Sequence, residues 1–376
     1  MKFIVKSSDL LQHLLAVGRV INTKNTLPIL DNFLFEIEGE ELTITASDLE
    51  TTLQTKLMLS NSTANGRIAL QAKLLTETLK EFPEQPLTFD IDDETLSVKI
   101  FSDKGEFSIM GQNGDEYPAL PVRDSESLCK LTISPQAFLS GISKTLFATA
   151  DDELRPVMNG IYIEMSPENV TFVASDAHKL VRYRRMDAHS EADAAFILPK
   201  KPAGLLKNIL SKQEEDIVLE FDNQNAFVNL TDYKLVCRLI EGSYPRYASV
   251  IPTNNENKMT IDRLELHNTL KRVSVFSNPA TNLIRMSIDG NELSVSAQDL
   301  DYSISAHETI PCEYNGTPIE IGFKSVFLLE ILSNMSATDV VVELSDGARA
   351  GLFLPQEEAT ANEDTLMLLM PMMLNA

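Results

Sequence analysis

The chain has 376 residues, 43% apolar and 23% charged, with a formal net charge of −23; these values are ordinary for a globular protein of two or three domains, and the acidity taken alone argues against a nucleic-acid partner. Cys129, Cys237 and Cys312 form no CxxC pair, which excludes a zinc-binding cysteine motif and suits reduced thiols in the cytoplasm. The opening MKFIVKSSDLLQHLL is broken by Lys6, Asp9, Gln12 and His13, so neither a signal peptide nor a membrane span is expected.

Residues Lys2–Lys6 alternate as a strand, and Ser8–Ile21 carries Leu10, Leu11, Leu14, Leu15 and Val20 at helical spacing, with Ser7 or Ser8 as the candidate N-cap. Strands are predicted over Phe33–Glu38, Glu41–Ser47 and Thr51–Ser60. The pattern then restarts with strand Arg67–Gln71, helix Ala72–Phe82 and strands Pro86–Asp92, Thr95–Ser102 and Glu106–Gln112. A βαβββ unit thus occurs twice in the first third of the chain. Further helices are predicted near Ser134–Thr149, Pro199–Gln213, Thr260–Ser277 and Gly322–Asn334, with joins near the proline-bearing segments Tyr117–Asp124 and Tyr244–Asn257.

Three stretches lie over one another: FLFEIEGEELTITASDLE (33–50), IYIEMSPENVTFVASDAHKL (161–180) and IRMSIDGNELSVSAQDLD (284–301). Each is a strand, a polar turn, a second strand and an aspartate in a turn: Asp48, Asp176 and Asp299, spaced by 128 and 123 residues. That period is far longer than a solenoid repeat. The expectation is an α+β protein of three tandem domains of one fold, 1–124, 125–254 and 255–376, each made of two βαβββ units.

Placed on these elements, the charge separates. The predicted helices sum to +6, leaving −29 on everything else. Helix propensity favours glutamate as much as lysine and does not explain the asymmetry. A mildly basic helical face suits sequence-independent contact with a phosphate backbone. Against an enzyme, Asp176 and His178 resemble an acid–base pair, but Asp48 and Asp299 hold the same turn without the histidine. The five histidines form no HExxH, and neither G-x-S-x-G nor GxxxxGK[ST] occurs. No catalytic residue, metal or cofactor is expected. The alternative to a DNA-binding protein is an acidic repeat scaffold that does not touch DNA.

The segments TLPIL (Thr26–Leu30), ASDLE (Ala46–Glu50), RPVMNGIYIE (Arg155–Glu164), ASDAHKL (Ala174–Leu180), EGSYPRYASVIP (Glu241–Pro252), IGFKSVFLLEIL (Ile321–Leu332) and LMPMML (Leu369–Leu374), in this order and spacing, resemble the bacterial sliding-clamp family, the beta subunit of DNA polymerase III. The resemblance runs over essentially the whole chain. It implies a DNA polymerase processivity factor that is not an enzyme: a head-to-tail homodimeric ring with twelve helices around a central hole and antiparallel sheets outside. Twelve helices about 10 Å apart enclose an axis circle about 38 Å across, leaving roughly 28 Å clear for a duplex. Implied partners are double-stranded DNA, the polymerase III catalytic subunit, the clamp loader and other proteins with clamp-binding motifs.

The DNA-facing candidates are Arg19, Lys24, Lys73, Lys80, Lys144, Lys200, Lys201, Lys207, Lys271 and Arg272. By the resemblance, a partner-peptide pocket takes Arg155, Met158, Ser175, Ala177, His178, Lys179, Leu180, Pro245, Val250, Leu368, Met370, Pro371, Met372 and Leu374. Its methionines suit several apolar peptide anchors. The dimer interface would join Phe107 to Val275 and Phe276, on a helix whose Leu264, Leu266, Leu270 and Val273 supply a core face. Two positions depart from the family pattern: Pro156 and Val157 follow Arg155 where aromatics are common, and Met373 stands where the tail often has a basic residue.

Overall fold

The computed structural model describes residues 1–121 and 128–374; the expected boundary at 124/125 and the last two residues lie outside them. The chain groups into two compact units, 1–135 with 208–239, and 136–207 with 240–376.

The first unit holds two antiparallel sheets. One runs Asn61–Ser62, Lys2–Lys6, Pro86–Ile91, Ser97–Phe101, Glu106–Met110. The other has nine strands: Gln112–Asn113, Gly66–Gln71, Asn32–Glu38, Glu41–Ser47, Thr51–Met58, Tyr233–Arg238, Asn225–Asn229, Ile217–Phe221, Cys129–Ile133. Helices α1 (Ser7–Val17) and α2 (Ala72–Lys80) pack side by side, burying Leu10, Leu14, Leu75 and Leu79. The second unit repeats the plan. Its nine-stranded sheet runs Ala194–Pro199, Gly160–Met165, Val170–Ser175, Lys179–Arg185, Glu363–Leu369, Gly351–Pro355, Asp339–Leu344, Asn257–Asp262, Glu313–Asn315. Its four-stranded sheet runs Ile304–Pro311, Glu292–Asp299, Leu283–Asp289, Ile319–Lys324. The remaining helices are α3 (Pro135–Thr145), α4 (Lys200–Leu210), α5 (Arg263–Ser274) and α6 (Ser325–Ser333).

Each βαβββ unit surrenders its first strand to the sheet of its twin. Lys2–Lys6 pairs with Pro86–Ile91, Cys129–Ile133 with Ile217–Phe221, and Asn257–Asp262 with Asp339–Leu344. In return Gly66–Gln71, Ala194–Pro199 and Ile319–Lys324 pair with the second strand of the preceding unit. The central repeat divides between the two compact units because each of its sheets continues into a neighbour's. Thr51–Met58 pairs with Tyr233–Arg238, and Lys179–Arg185 pairs with Glu363–Leu369. Backbone hydrogen bonding across those junctions is as regular as within a domain.

The helices are shorter than predicted because each follows a strand without a loop. The expected serine cap of α1 is absent: Lys6 occupies the N-cap, while the Ser7 hydroxyl donates to the Pro83 carbonyl at 2.9 Å. Leu264 is 54% exposed, which corrects its place on the core face of α5; Leu266, Leu270 and Val273 are buried as expected. The turn aspartates act as turn formers. Asp48 Oδ1 accepts from the amides of Glu50 and Thr51, and Asp176 Oδ1 from those of His178 and Lys179. Asp299 Oδ1 accepts from Asp301 N, and Asp92, Asp222 and Asp346 do the same work in the second half of each repeat. Asx turns of this kind permit the positive φ at Leu49 and Ala177.

His13 on α1 is half-buried, with Nδ1 2.6 Å from Thr55 Oγ1 and its ring stacked on Tyr233. Burial lowers its pKa below 6.5, against an opposing pull from Asp232 and Asp9. The neutral ring therefore contributes stability that is complete above the unfolded value and is lost as pH falls through 6.5 toward the lowered folded value. Urea midpoints measured at about pH 8 and about pH 5 should fall on acidification, and His13→Gln should lessen that fall.

Candidate peptide groove and nucleic-acid face

The residues expected to form a peptide pocket gather at one end of the junction ladder in the second unit. The last pairs of that ladder are Leu180 with Leu368 and Lys179 with Leu369. Beyond them the tail leaves the sheet but stays tethered. The Met370 amide donates to the His178 carbonyl at 2.8 Å, and the Met372 amide donates to the Gly322 carbonyl at 2.8 Å. Gly322 is needed there, since a Cβ would sit 2.7 Å from the Met372 carbonyl oxygen and 2.8 Å from Leu374 Cδ2.

Beneath the tail, Leu180 and Leu368 belong to a small apolar cluster with Val173, Leu352 and Leu366, flanked by Tyr162, Tyr244, Tyr247 and Ile251. Tyr162 and Tyr244 stack at 4.8 Å, and burial raises the Tyr244 phenol above the ordinary tyrosine range. The Ser175 hydroxyl donates to the Lys179 carbonyl and accepts from the Ala177 amide, fixing the turn that presents His178. Lys179 is 5% exposed in its side chain, held by Asp176 Oδ2 at 2.7 Å and Glu330 Oε2 at 3.0 Å. Met158 is buried in the turn Pro156–Met158, and Arg155 is exposed and paired with Asp152 at 2.8 Å. Pro245 and Val250 are exposed at the turn Tyr247–Val250 and its approach. Met370 is 44% and Met373 77% exposed, so the tail offers thioether surface to a ligand.

Sequence reasoning assigned no role to Gly322, Lys324 and Phe327, although all three lie in the quoted IGFKSVFLLEIL segment. Phe327 carries the His178 ring stacked at 5.5 Å. The signal was present as an aromatic on the polar side of a helix, but its partners come from elsewhere in the chain.

The helical charge bias persists in the observed elements: α1 to α6 carry −1, +1, +1, +3, +2 and −1 in chain order. Arg19, Lys24, Lys73, Lys80, Lys207 and Lys271 are exposed and make no ion pair among the described residues; Lys201 is half-buried on α4. Lys144 is a correction. Its ammonium is half-buried, 2.7 Å from Glu363 Oε2 and 4.6 Å above the Tyr183 ring, so a nearby carboxylate already occupies it. Lys200 pairs with Asp151 at 2.6 Å and Arg272 with Glu308 at 2.6 Å. Both of these pairs are solvent-exposed and readily exchanged.

Phe107 is 40% exposed on Glu106–Met110, the terminal strand of its sheet, edge-on to Phe82 at 5.1 Å. Val275 (74% exposed) and Phe276 (39%) follow the end of α5. Ile304–Pro311 is likewise a terminal strand, and its approach exposes Leu300 and Tyr302, which the sequence reading did not single out. Among the described residues no His/Cys/Asp/Glu group is arranged to hold a metal ion, and no helix is long and apolar enough to cross a membrane.

Models of the DNA polymerase III beta subunit match the chain in succession: the N-terminal domain over residues 1–121, the central domain over 132–246 and the C-terminal domain over 248–373. The chain belongs to the DNA polymerase III beta subunit family. A beta sliding clamp of Synechocystis sp. is 30% identical, covering 94% of this chain and 96% of the relative. A beta sliding clamp of Pseudomonas aeruginosa is 27% identical with both chains fully covered. A solved sliding clamp from Bartonella birtlesii, bound to griselimycin, is 26% identical, covers 100% of both chains and superposes with a TM-score of 0.91. The three-domain clamp fold expected from the repeat is therefore the fold of this beta subunit, and the acidic-scaffold alternative is not favoured.

In this beta subunit the tail is seated over Gly322, and Gly322→Ala should unseat it by overpacking worth about 1–3 kcal/mol. Hydrogen exchange at the Met370 and Met372 amides is then expected to speed up by about tenfold or more, with the melting transition little changed. Unaltered protection at both amides would show that the tail is held by other contacts.

Proposed function

We propose that this beta subunit is a DNA polymerase processivity factor that acts by encirclement rather than by catalysis. Two copies close head to tail around duplex DNA, and the ring slides while the tail groove holds polymerases, the clamp loader and other proteins bearing clamp-binding motifs. The observation that carries this is the run of three beta-subunit domain matches along one chain. The domains are 1–124, 125–254 and 255–376, and the protein works in the cytoplasm, where DNA is replicated.

The charge pattern supports the mechanism. Helices bearing a small positive surplus, in a chain of net −23, attract a polyanion only weakly, and salt screens the contacts within about 10 Å. Arg19, Lys24, Lys73, Lys80, Lys201, Lys207 and Lys271 would supply most of the contacts, with Lys200 and Arg272 joining when their exposed pairs exchange. Lys144 is assigned no DNA contact. Retention is then topological, and sliding is unhindered because no contact is strong or base-specific. Ring closure would bring the terminal strand Glu106–Met110 with Phe107 of one copy against the Val275–Phe276 region and the terminal strand Ile304–Pro311 of the other. Two exposed strand edges with apolar neighbours suit such pairing.

Two experiments test this. Clamps loaded on a nicked circle should survive a high-salt wash and be lost when the circle is cut to a free-ended line; equal retention on both forms would mean that affinity holds the protein. Phe276→Ala should remove an interface anchor and give folded monomers at about 1 μM by sedimentation, whereas a persisting dimer would place the interface elsewhere.

A further inference from the structure

The α6 side of the tail groove carries a feature that apolar anchors do not use. Phe327, in the first turn of α6, is covered by the His178 ring at 5.5 Å and by two ammonium groups, Lys179 Nζ at 4.4 Å and Lys324 Nζ at 4.9 Å from the ring centroid. The two lysines differ in their partners. Lys179 is bound to Asp176 and Glu330. Lys324 is half-buried and has no carboxylate within ion-pair distance among the described residues. Arg155 and Lys200 are both paired, with Asp152 and Asp151. In a chain with 55 acidic and 32 basic side chains, a cation left without a carboxylate at a groove is itself an observation about what the groove takes. Strand alternation puts Lys324 on the same face as Gly322, whose carbonyl holds the tail through Met372.

We propose that Lys324 is a charge-selecting residue: peptides that seat leucine or phenylalanine anchors in the groove place an aspartate or glutamate carboxylate, flanking the anchor, on the Lys324 ammonium. This rests on the reading of the groove as the partner-peptide site. The Phe327 ring restrains the ammonium by a cation–π contact worth only about 0.5–1 kcal/mol, so the group is positioned without being neutralised. A lysine is a compact point charge that accepts a carboxylate from several directions, and it therefore selects for charge rather than for one side-chain geometry. Asp151, Asp152, Glu153, Asp176 and Glu330 line the adjoining cavity. They repel an extended polyanion, so the ligand is a single carboxylate on a peptide and not a nucleic-acid backbone.

The test uses the full-length protein and three fluorescent peptides that share leucine and phenylalanine anchors and carry aspartate, asparagine or lysine beside the leucine. The aspartate peptide should bind about fivefold more tightly than the asparagine peptide, and added salt should narrow the gap. Lys324→Ala should erase the gap while leaving the asparagine peptide within about twofold of its original affinity, and Lys324→Glu should favour the lysine peptide. Equal binding of the aspartate and asparagine peptides overturns the inference while leaving the groove intact. So does loss of the preference in Arg246→Ala, a neighbouring exposed cation, in place of Lys324→Ala. Binding of none of the three overturns the groove assignment and this inference with it.

Discussion

The structure depends on strand pairing that does not stop at domain boundaries. Thr51–Met58 pairs with Tyr233–Arg238, and Lys179–Arg185 pairs with Glu363–Leu369. A ladder leaves no backbone donor or acceptor unpaired at the join. It also fixes register, because a slip of one residue would turn every side chain to the wrong face. The groove is a by-product of this pairing. It opens where the second ladder ends at Lys179 and Leu369, and the tail continues past that end on two further backbone hydrogen bonds.

Charge does a second job at the same join. Glu363, 5% exposed in its side chain, is shared between Lys144 at 2.7 Å and Arg185 at 3.1 Å, and Arg185 also binds Asp187 at 2.7 Å. Arg182 adds Asp364 at 2.9 Å. Buried ion pairs of this kind add little net stability, but removing one partner strands the other in a poor solvent. They are suited to specifying one alignment of the two strands. Lys144 thus belongs to the architecture of the join, while the exposed cations of the helices remain available to a phosphate backbone.

Much of this was legible in the sequence. The alternating strands, the six helices and the three turn aspartates were read from periodicity and from the repeat, and all are present as elements. What escaped were facts about partners. The exchange of first strands is invisible because Lys2–Lys6 alternates in the same way whichever strand it joins. Lys144 looked like any other helix lysine until Glu363, 219 residues away, came to meet it. Leu264 fitted the helical period yet stands in solvent, since a period marks a face and not its width. The groove residues came from the family likeness, and the stack of His178, Phe327 and Lys324 joins residues that no local pattern links.

The exchange of strands also bears on how the chain is made. Lys2–Lys6 has no ladder until Pro86–Ile91 has emerged, and the outer edge of Thr51–Met58 stays uncovered until Tyr233–Arg238 arrives. At ordinary rates of synthesis that second wait lasts roughly ten to thirty seconds, during which a regular strand edge is open to any other nascent chain. The strand is built to tolerate the delay. Lys56 holds Glu41 of the adjacent strand at 2.6 Å, and with Gln54 it gives the waiting edge a polar, charged face. Charges of this kind discourage edge-to-edge aggregation, and here they guard the place where the rest of the molecule is still to dock.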